Sequence, residues 1–321
     1  MQGGERDASL YGDDHMNLDK KQNTGHSVFQ RLLNHARTHG EDFNLLLFRY
    51  GIERLLYRLS ISPHADKYIL KGASMFLVWK GQNYRVTKDA DLLSSRPSDA
   101  EHTADIFREL CYATIEYDDG IEFMPDTIRV APIREEQAYD GIRVTLTAML
   151  YQARIPLQVD IGFGDAVTPK PERIEFPTLL GAPSPQLLAY SRYTMVAEKF
   201  ETMVRLGMAN SRMKDFYDVW LMSRLFKFDG RTLSNAIRNT FKRRSTPLPN
   251  GLPMAFTEEF SKDAQKQIQW RAFVRKSKPK DISGDFEAVI GDVTSFLMPV
   301  LEITRRDDHF ELSWPVGGSW E

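Results

Sequence analysis

The 321-residue sequence predicts an α+β chain, with a small mixed sheet in its first half and helices alone in its second. Three observations carry this. Ile155, Leu157, Val159 and Ile161 alternate with Pro156, Gln158 and Asp160, the period of a half-buried strand. A proline-rich stretch, Thr168 to Pro185, then interrupts the chain, and beyond it every strong pattern has helical spacing. The expected division is a loose segment 1–26, an α/β domain 27–185, a helical domain 186–304 and a tail 305–321.

In chain order, Ser27 to Arg37 reads as a short amphipathic helix with Ser27 as its cap and Gly40 beyond its end. Phe43 to Ser60 follows as a second helix, with Leu46, Leu47, Tyr50, Leu55 and Leu59 on its apolar side and Ser62-Pro63 closing it. Tyr68-Ile69-Leu70 is short and apolar, like a buried strand, and Ala73 to Lys80 reads as a helix ended by Gly81. Asp89 to Leu93 is the next strand, Ser98 to Tyr112 a helix, and Ile121 to Ile133 and Ile142 to Leu150 carry β-favouring residues. The second half reads as helices over Thr194–Gly207, Met213–Phe226, Thr232–Arg244, Thr257–Lys276 and Phe286–Leu301.

Composition narrows the class. Cys111 is the only cysteine, which excludes an intramolecular disulfide and fits a reducing compartment. The N-terminus lacks an apolar core and no stretch reaches eighteen uninterrupted apolar residues, so a cytoplasmic protein without a membrane span is expected. A net charge of −2 argues against a uniformly nucleic-acid-coated surface, yet such a sum can hide an acidic pocket beside a basic face. Lys262, Lys266, Arg271, Arg275, Lys276, Lys278 and Lys280 form a basic run with Trp270 and Phe273 interleaved, which reads first as a solvated helix face.

The chemistry concentrates in "LKGASMFLVWKGQNYRVTKDADLL", Leu70 to Leu93. Asp89 and Asp91, two apart on a strand, point to one face with Ala90 behind them. Paired acids repel unless a cation sits between them, and an all-oxygen site with room for water suits Mg²⁺ or Mn²⁺. Asp160, on the open face of another strand, is the candidate third ligand. Three such acids can hold two divalent ions about 3.5–4 Å apart, the arrangement that clamps a phosphate during nucleotidyl transfer. Upstream, Gly72 lets backbone approach phosphate oxygens, Lys71 adds a charge, Ala73 keeps the turn close, and the helix that follows would aim free N–H groups at the anion.

"ILKGASMF", "RVTKDADLL", "LQVDIGFGD" and "VAEKFETMVRLGMANSRMKDFYDVWLM" together resemble the AbiEii/AbiGii family of nucleotidyltransferase-like toxins, which includes the mycobacterial MenT toxins, over about Ser27 to Pro249. The resemblance implies a polymerase-β-like nucleotidyltransferase core followed by a helical C-terminal domain, encoded as the toxin of a bacterial toxin–antitoxin or phage-defence pair. It implies an NTP substrate, tRNA as acceptor of a transferred nucleotide at its 3′ end, and a cognate antitoxin protein. Carried over by position, Gly72 is the phosphate turn, Asp89 and Asp91 are metal ligands, Lys199 is a triphosphate contact, and Asp215 is an acid that completes the site, with Asp218 one turn on. Thr87, two before Asp89, has a hydroxyl near the expected phosphates. Gly-Ala-Ser stands where the family has Gly-Gly or Gly-Ser, which shifts Ser74 out of the phosphate position. With tRNA as acceptor, Arg212, Lys214, Lys242, Arg243, Arg244, Arg271 and Arg275 are the candidate RNA contacts.

Two other functions fit the same residues: transfer of the γ-phosphoryl group by a kinase-like enzyme, or a catalytically silent RNA- or protein-binding module. Which label, α or γ, becomes attached to the acceptor separates the first from nucleotidyl transfer. Gly162-Phe163-Gly164 lacks the third glycine of a dinucleotide fingerprint and reads as a turn, and His35 and His39 lack a third metal ligand.

Overall fold

The computed structural model describes residues 10–94, 99–135, 139–282, 285–306 and 310–321. The first half comprises α1 (Leu10–His39), α2 (Phe43–Ser60), β1 (Tyr68–Lys71), α3 (Met75–Lys80), β2 (Ala90–Ser94), α4 (Ala100–Cys111), β3 (Ile121–Glu135), β4 (Tyr139–Leu150), β5 (Ala153–Phe163), β6 (Glu172–Glu175) and β7 (Gln186–Ala189). The second half comprises α5 (Arg192–Leu206), α6 (Met213–Leu225), β8 (Phe228–Asp229), α7 (Gly230–Arg243), α8 (Glu258–Lys262), α9 (Ala264–Ser277), α10 (Phe286–Arg306) and β9 (Ser313–Trp314).

The seven strands of the first half form one mixed sheet in the order β3-β4-β5-β2-β1-β7-β6. β2 runs parallel to β5 and antiparallel to β1, while β1 runs parallel to β7. The alternation read in β5 holds: Ile155, Leu157, Val159 and Ile161 are buried, and Gln158 and Asp160 are half-buried on the other face. Leu46, Leu55 and Leu59 of α2, with Ile106 and Phe107 of α4, close the buried face into one apolar core. Local signals set the helix ends. Asp42 and Asp99 cap α2 and α4 by accepting the backbone N–H groups of Leu45 and His102, and Gly81, at φ +70°, ends α3.

A second core fills the helical half, and Phe76 and Tyr84 of the first half belong to it. The segment after α3 is tied to the helical half by backbone bonds: Val86 N–H donates to Ser277 O at 3.1 Å, and Lys280 N–H to Tyr84 O at 2.8 Å. The two halves therefore meet at α3 and the segment that follows it.

Several sequence expectations change. The helix expected from Ser27 begins at Leu10, so the segment expected to be loose is helical over 10–26, and residues 1–9 lie outside the described ones. Ser98 also lies outside them. The expected boundary at 185 falls just before β7, which is a strand of the sheet, so the first half ends near residue 190. The single helix expected over Thr257–Lys276 breaks at Asp263, whose extended backbone and carboxylate cap α9. Residues 310–321, expected as a tail, pack instead: β9 pairs with β8, and Phe310 and Trp314 are buried. Their aromatic bulk has no low-energy place in water, a term that outweighs the polar loop sequence around them. Among the described residues no helix is long and apolar enough to cross a membrane.

Candidate active site

A row of side chains crosses the open face of the sheet. The β1–β2 register sets Lys71 opposite Asp91, the β2–β5 register sets Asp91 beside Asp160, and the β4–β5 register sets Asp160 opposite Arg143. Asp89 lies just before β2, and one carboxylate oxygen from each of Asp89, Asp91 and Asp160 lies within 4.8 Å of the others. The structure thus brings together the three acids singled out as metal ligands. Burial and then repulsion from Asp89 push the Asp91 pKa up to about 6, against the pull of Lys214 and Lys71. Such mutual repulsion is what a hard divalent cation with oxygen ligands relieves. Arg143 holds both oxygens of Asp160, through bonds of 2.8 and 2.7 Å, so a cation bound at the cluster would share this carboxylate with the guanidinium. Thr87 Oγ1 donates to Asp89 Oδ1 at 2.5 Å, so this hydroxyl orients an acid of the cluster.

Beside the acids opens a cleft of about 170 Å³ whose walls include Lys71, Gly72, Ala73, Arg85, Lys199, Arg212, Lys214 and Arg244. Lys199, from α5, meets two acids of α6: Nζ lies 2.6 Å from Asp215 Oδ1 and 2.9 Å from Asp218 Oδ2. Arg212 holds the other oxygen of Asp215 at 2.7 Å, and Arg85 grips Asp218 through bonds of 2.8 and 2.9 Å. Burial would raise the pKa of both acids, but Lys199 and Arg212 hold Asp215 well below the usual carboxylate range, and Arg85 and Lys199 lower that of Asp218. An ammonium has three N–H groups, so Lys199 keeps donor capacity beyond these two contacts.

A second network flanks the cluster on the side of Lys71. Its Nζ lies 3.2 Å from Asp165 and 3.3 Å from Glu198; burial opposes its charge, but Glu198 and Asp165 outweigh that and raise its pKa. Tyr190 Oη donates to Glu198 at 2.9 Å, and Arg244 reaches Asp165 at 3.0 Å and Glu201 at 2.7 Å. This redirects Arg244. Its side chain is only 10% exposed and committed to carboxylates, so an RNA phosphate would have to displace them.

Other expectations resolve differently. Gly72, at φ +75°, has the Asp91 carboxylate over its Cα, so its missing side chain admits that acid rather than leaving open space for a phosphate. The helix after it has six residues, and the N–H groups of Met75, Phe76 and Leu77 already donate to Gly72, Ala73 and Ser74 carbonyls, so they are not free for an anion. Arg212 and Lys214 line the cleft itself. Lys242, Arg271 and Arg275 are exposed, and the exposed Arg243 donates to Gly164 O in the turn after β5. Lys266, from the basic run, is buried and donates to Asn210 O at 2.9 Å, while Trp270 stacks on Phe286. Arg85, Asp165 and Glu198 carried no expected role, although each lies inside a quoted motif; of the three, only Glu198 stands beside a singled-out residue, Lys199. Arg143 had none, since only strand register sets it opposite Asp160.

Among curated proteins none matches the chain. Two solved structures from Helicobacter pylori are similar to it at 11% identity each. One, described as a nucleotidyltransferase by assignment, has a TM-score of 0.48 and covers 83% of this chain and 98% of its own. The other, JHP933, has a TM-score of 0.47 and covers 82% of this chain and 94% of its own. The family model described as nucleotidyl transferase AbiEii toxin, type IV toxin–antitoxin system, matches residues 54–291, which span the acid cluster, both ion networks and the cleft between them. The chain belongs to this AbiEii family of nucleotidyltransferase toxins.

Proposed function

We propose that the chain transfers a nucleoside monophosphate from an NTP to a hydroxyl of RNA, at the 3′ acceptor end of tRNA, with Mg²⁺ or Mn²⁺ held by Asp89, Asp91 and Asp160. The observation that carries this reading is the convergence of those carboxylates within 4.8 Å beside a cleft lined by Lys71, Lys199, Arg212 and Lys214. Membership of a toxin–antitoxin family implies a nucleotide substrate and an antitoxin partner.

The donor set is all oxygen and mutually repelling, which fits a hard divalent ion. When bound, that ion supplies Lewis-acid charge to the α-phosphate and makes the acceptor hydroxyl easier to deprotonate. The remaining work belongs to the protein. Arg143 and Thr87 hold Asp160 and Asp89 in place, and Gly72 leaves room for Asp91. Lys199, fixed by Asp215 and Asp218, presents positive charge to the triphosphate, with Lys214 and Arg212 beside it. The pyrophosphate leaves into this cation-lined cleft, where the charge that develops on it meets fixed cations. Preorganised charge of this kind costs no rearrangement at the moment of reaction.

Incubation of the purified protein with each α-labelled and γ-labelled NTP, Mg²⁺ and total tRNA, resolved on a gel, tests the reading. Label from the α position should appear on tRNA; label from the γ position alone would replace nucleotidyl transfer by phosphoryl transfer.

A further inference from the structure

We infer that a second pocket, behind the acid cluster, receives the terminal nucleoside of the acceptor strand. The inference rests on the proposed nucleotidyl transfer and adds where the acceptor sits. The pocket holds about 280 Å³ between α2, α3 and the segment from Gly81 to Ala90, with Lys278 and Lys280 of the helical half at its edge. Asp89 lines this pocket, whereas Asp91 and Asp160 line the cleft, and oxygens of the three lie within 4.8 Å of one another. The acid cluster is therefore the partition between the two spaces.

In-line displacement at phosphorus places the attacking oxygen and the leaving oxygen on opposite sides. The cations suited to a leaving pyrophosphate, Lys199, Arg212 and Lys214, line the cleft and not the pocket. An attacking hydroxyl then approaches from the pocket side. The pocket's chemistry suits a nucleoside, because Phe48, Ile52, Leu77, Tyr84 and Phe176 give it an apolar wall, with Arg49 and Arg85 among its polar side chains. Arg49 adds a polar feature: its Nε is buried with no hydrogen-bond partner among the described residues. That atom is closed off from solvent, so a base in the pocket would meet the outer N–H groups of the guanidinium, which lines its wall. Lys278 and Lys280, both exposed, stand where the preceding phosphodiesters of a single strand would emerge.

The test measures two affinities on the full chain: that of a fluorescent single-stranded oligoribonucleotide with a free 3′ hydroxyl, by anisotropy, and that of an NTP, by calorimetry. Arg49→Met should weaken oligonucleotide binding about tenfold, and Leu45→Trp, which narrows the pocket, by more than that, each with NTP affinity unchanged. A circularised oligonucleotide without an end should bind wild type as weakly as the linear one binds the variants. Loss of NTP affinity with oligonucleotide affinity intact would reassign the pocket to the donor nucleotide. Unchanged binding of both ligands in both variants, or wild type that prefers no end, would overturn the inference. Failure of wild type to label any RNA would instead remove the proposed transfer while these affinities still decide the pocket.

Discussion

The carboxylate of Asp91 occupies the space that a side chain on Gly72 would need: a Cβ placed there would lie 1.9 Å from Asp91 Oδ2. Gly72 is thus coupled to the central acid of the cluster, and its positive φ disfavours any other residue. Gly72→Ala should displace Asp91, lowering transfer by about 100-fold or more and stability by about 1–3 kcal/mol. Label transfer and chemical denaturation check both; an alanine variant with wild-type turnover would reject the coupling.

Asp91 makes the site sensitive to pH. Its pKa in the fold is pushed up to about 6 from an ordinary 3.8, so between these values the folded protein binds a proton that the unfolded chain has released. The contribution of Asp91 to stability therefore falls as pH rises from about 4 through about 6, and is lowest at neutral pH without a bound cation. Two outcomes follow. Asp91→Asn should raise the stability of the metal-free protein at pH 7 by about 1–3 kcal/mol, and Mg²⁺ affinity of wild type should weaken as pH falls below about 6. Thermal unfolding with and without Mg²⁺ across pH 5–8 reads both at once.

Lys199 neutralises two buried acids. Lys199→Met leaves Asp215 and Asp218 with Arg212 and Arg85 alone, which should cost about 3–5 kcal/mol and weaken NTP binding. In Lys199→Met/Asp215→Asn much of the stability should return while NTP binding does not. Additive losses in that double-mutant cycle would show that the pair is not coupled.

Arg244 and the exposed arginines of α9 should separate cleanly. Arg271→Glu with Arg275→Glu should reduce RNA affinity and the salt dependence of binding by about 0.7 in slope per lost phosphate contact, with NTP binding intact. Arg244→Ala should instead destabilise the fold, because Asp165, Glu198 and Glu201 lose a shared partner. An Arg244→Ala protein of full stability and weakened RNA binding would return this residue to the RNA surface.

Thr87→Val removes the hydroxyl that holds Asp89 and little else. Turnover should fall about tenfold, with an unchanged melting temperature and a raised Mg²⁺ requirement. Metal titration of activity reads this; a loss of NTP affinity in place of metal affinity would place Thr87 on the phosphates.

Local order decided a good part of this protein. The alternation in β5, the two-residue spacing of Asp89 and Asp91, the Gly81 stop and the run of helices after residue 190 all follow from side-chain periods and backbone preferences that act over a few residues. What the sequence alone could not determine is which distant groups meet. Asp91 lies beside Asp160, and Arg143 opposite it, because three strands share one register, and a shift by one residue would turn each side chain to the other face. Arg85 and Arg244 belong to carboxylates of the other half because closing the two cores together buries those acids, and a buried acid must take whichever cation the packing brings to it.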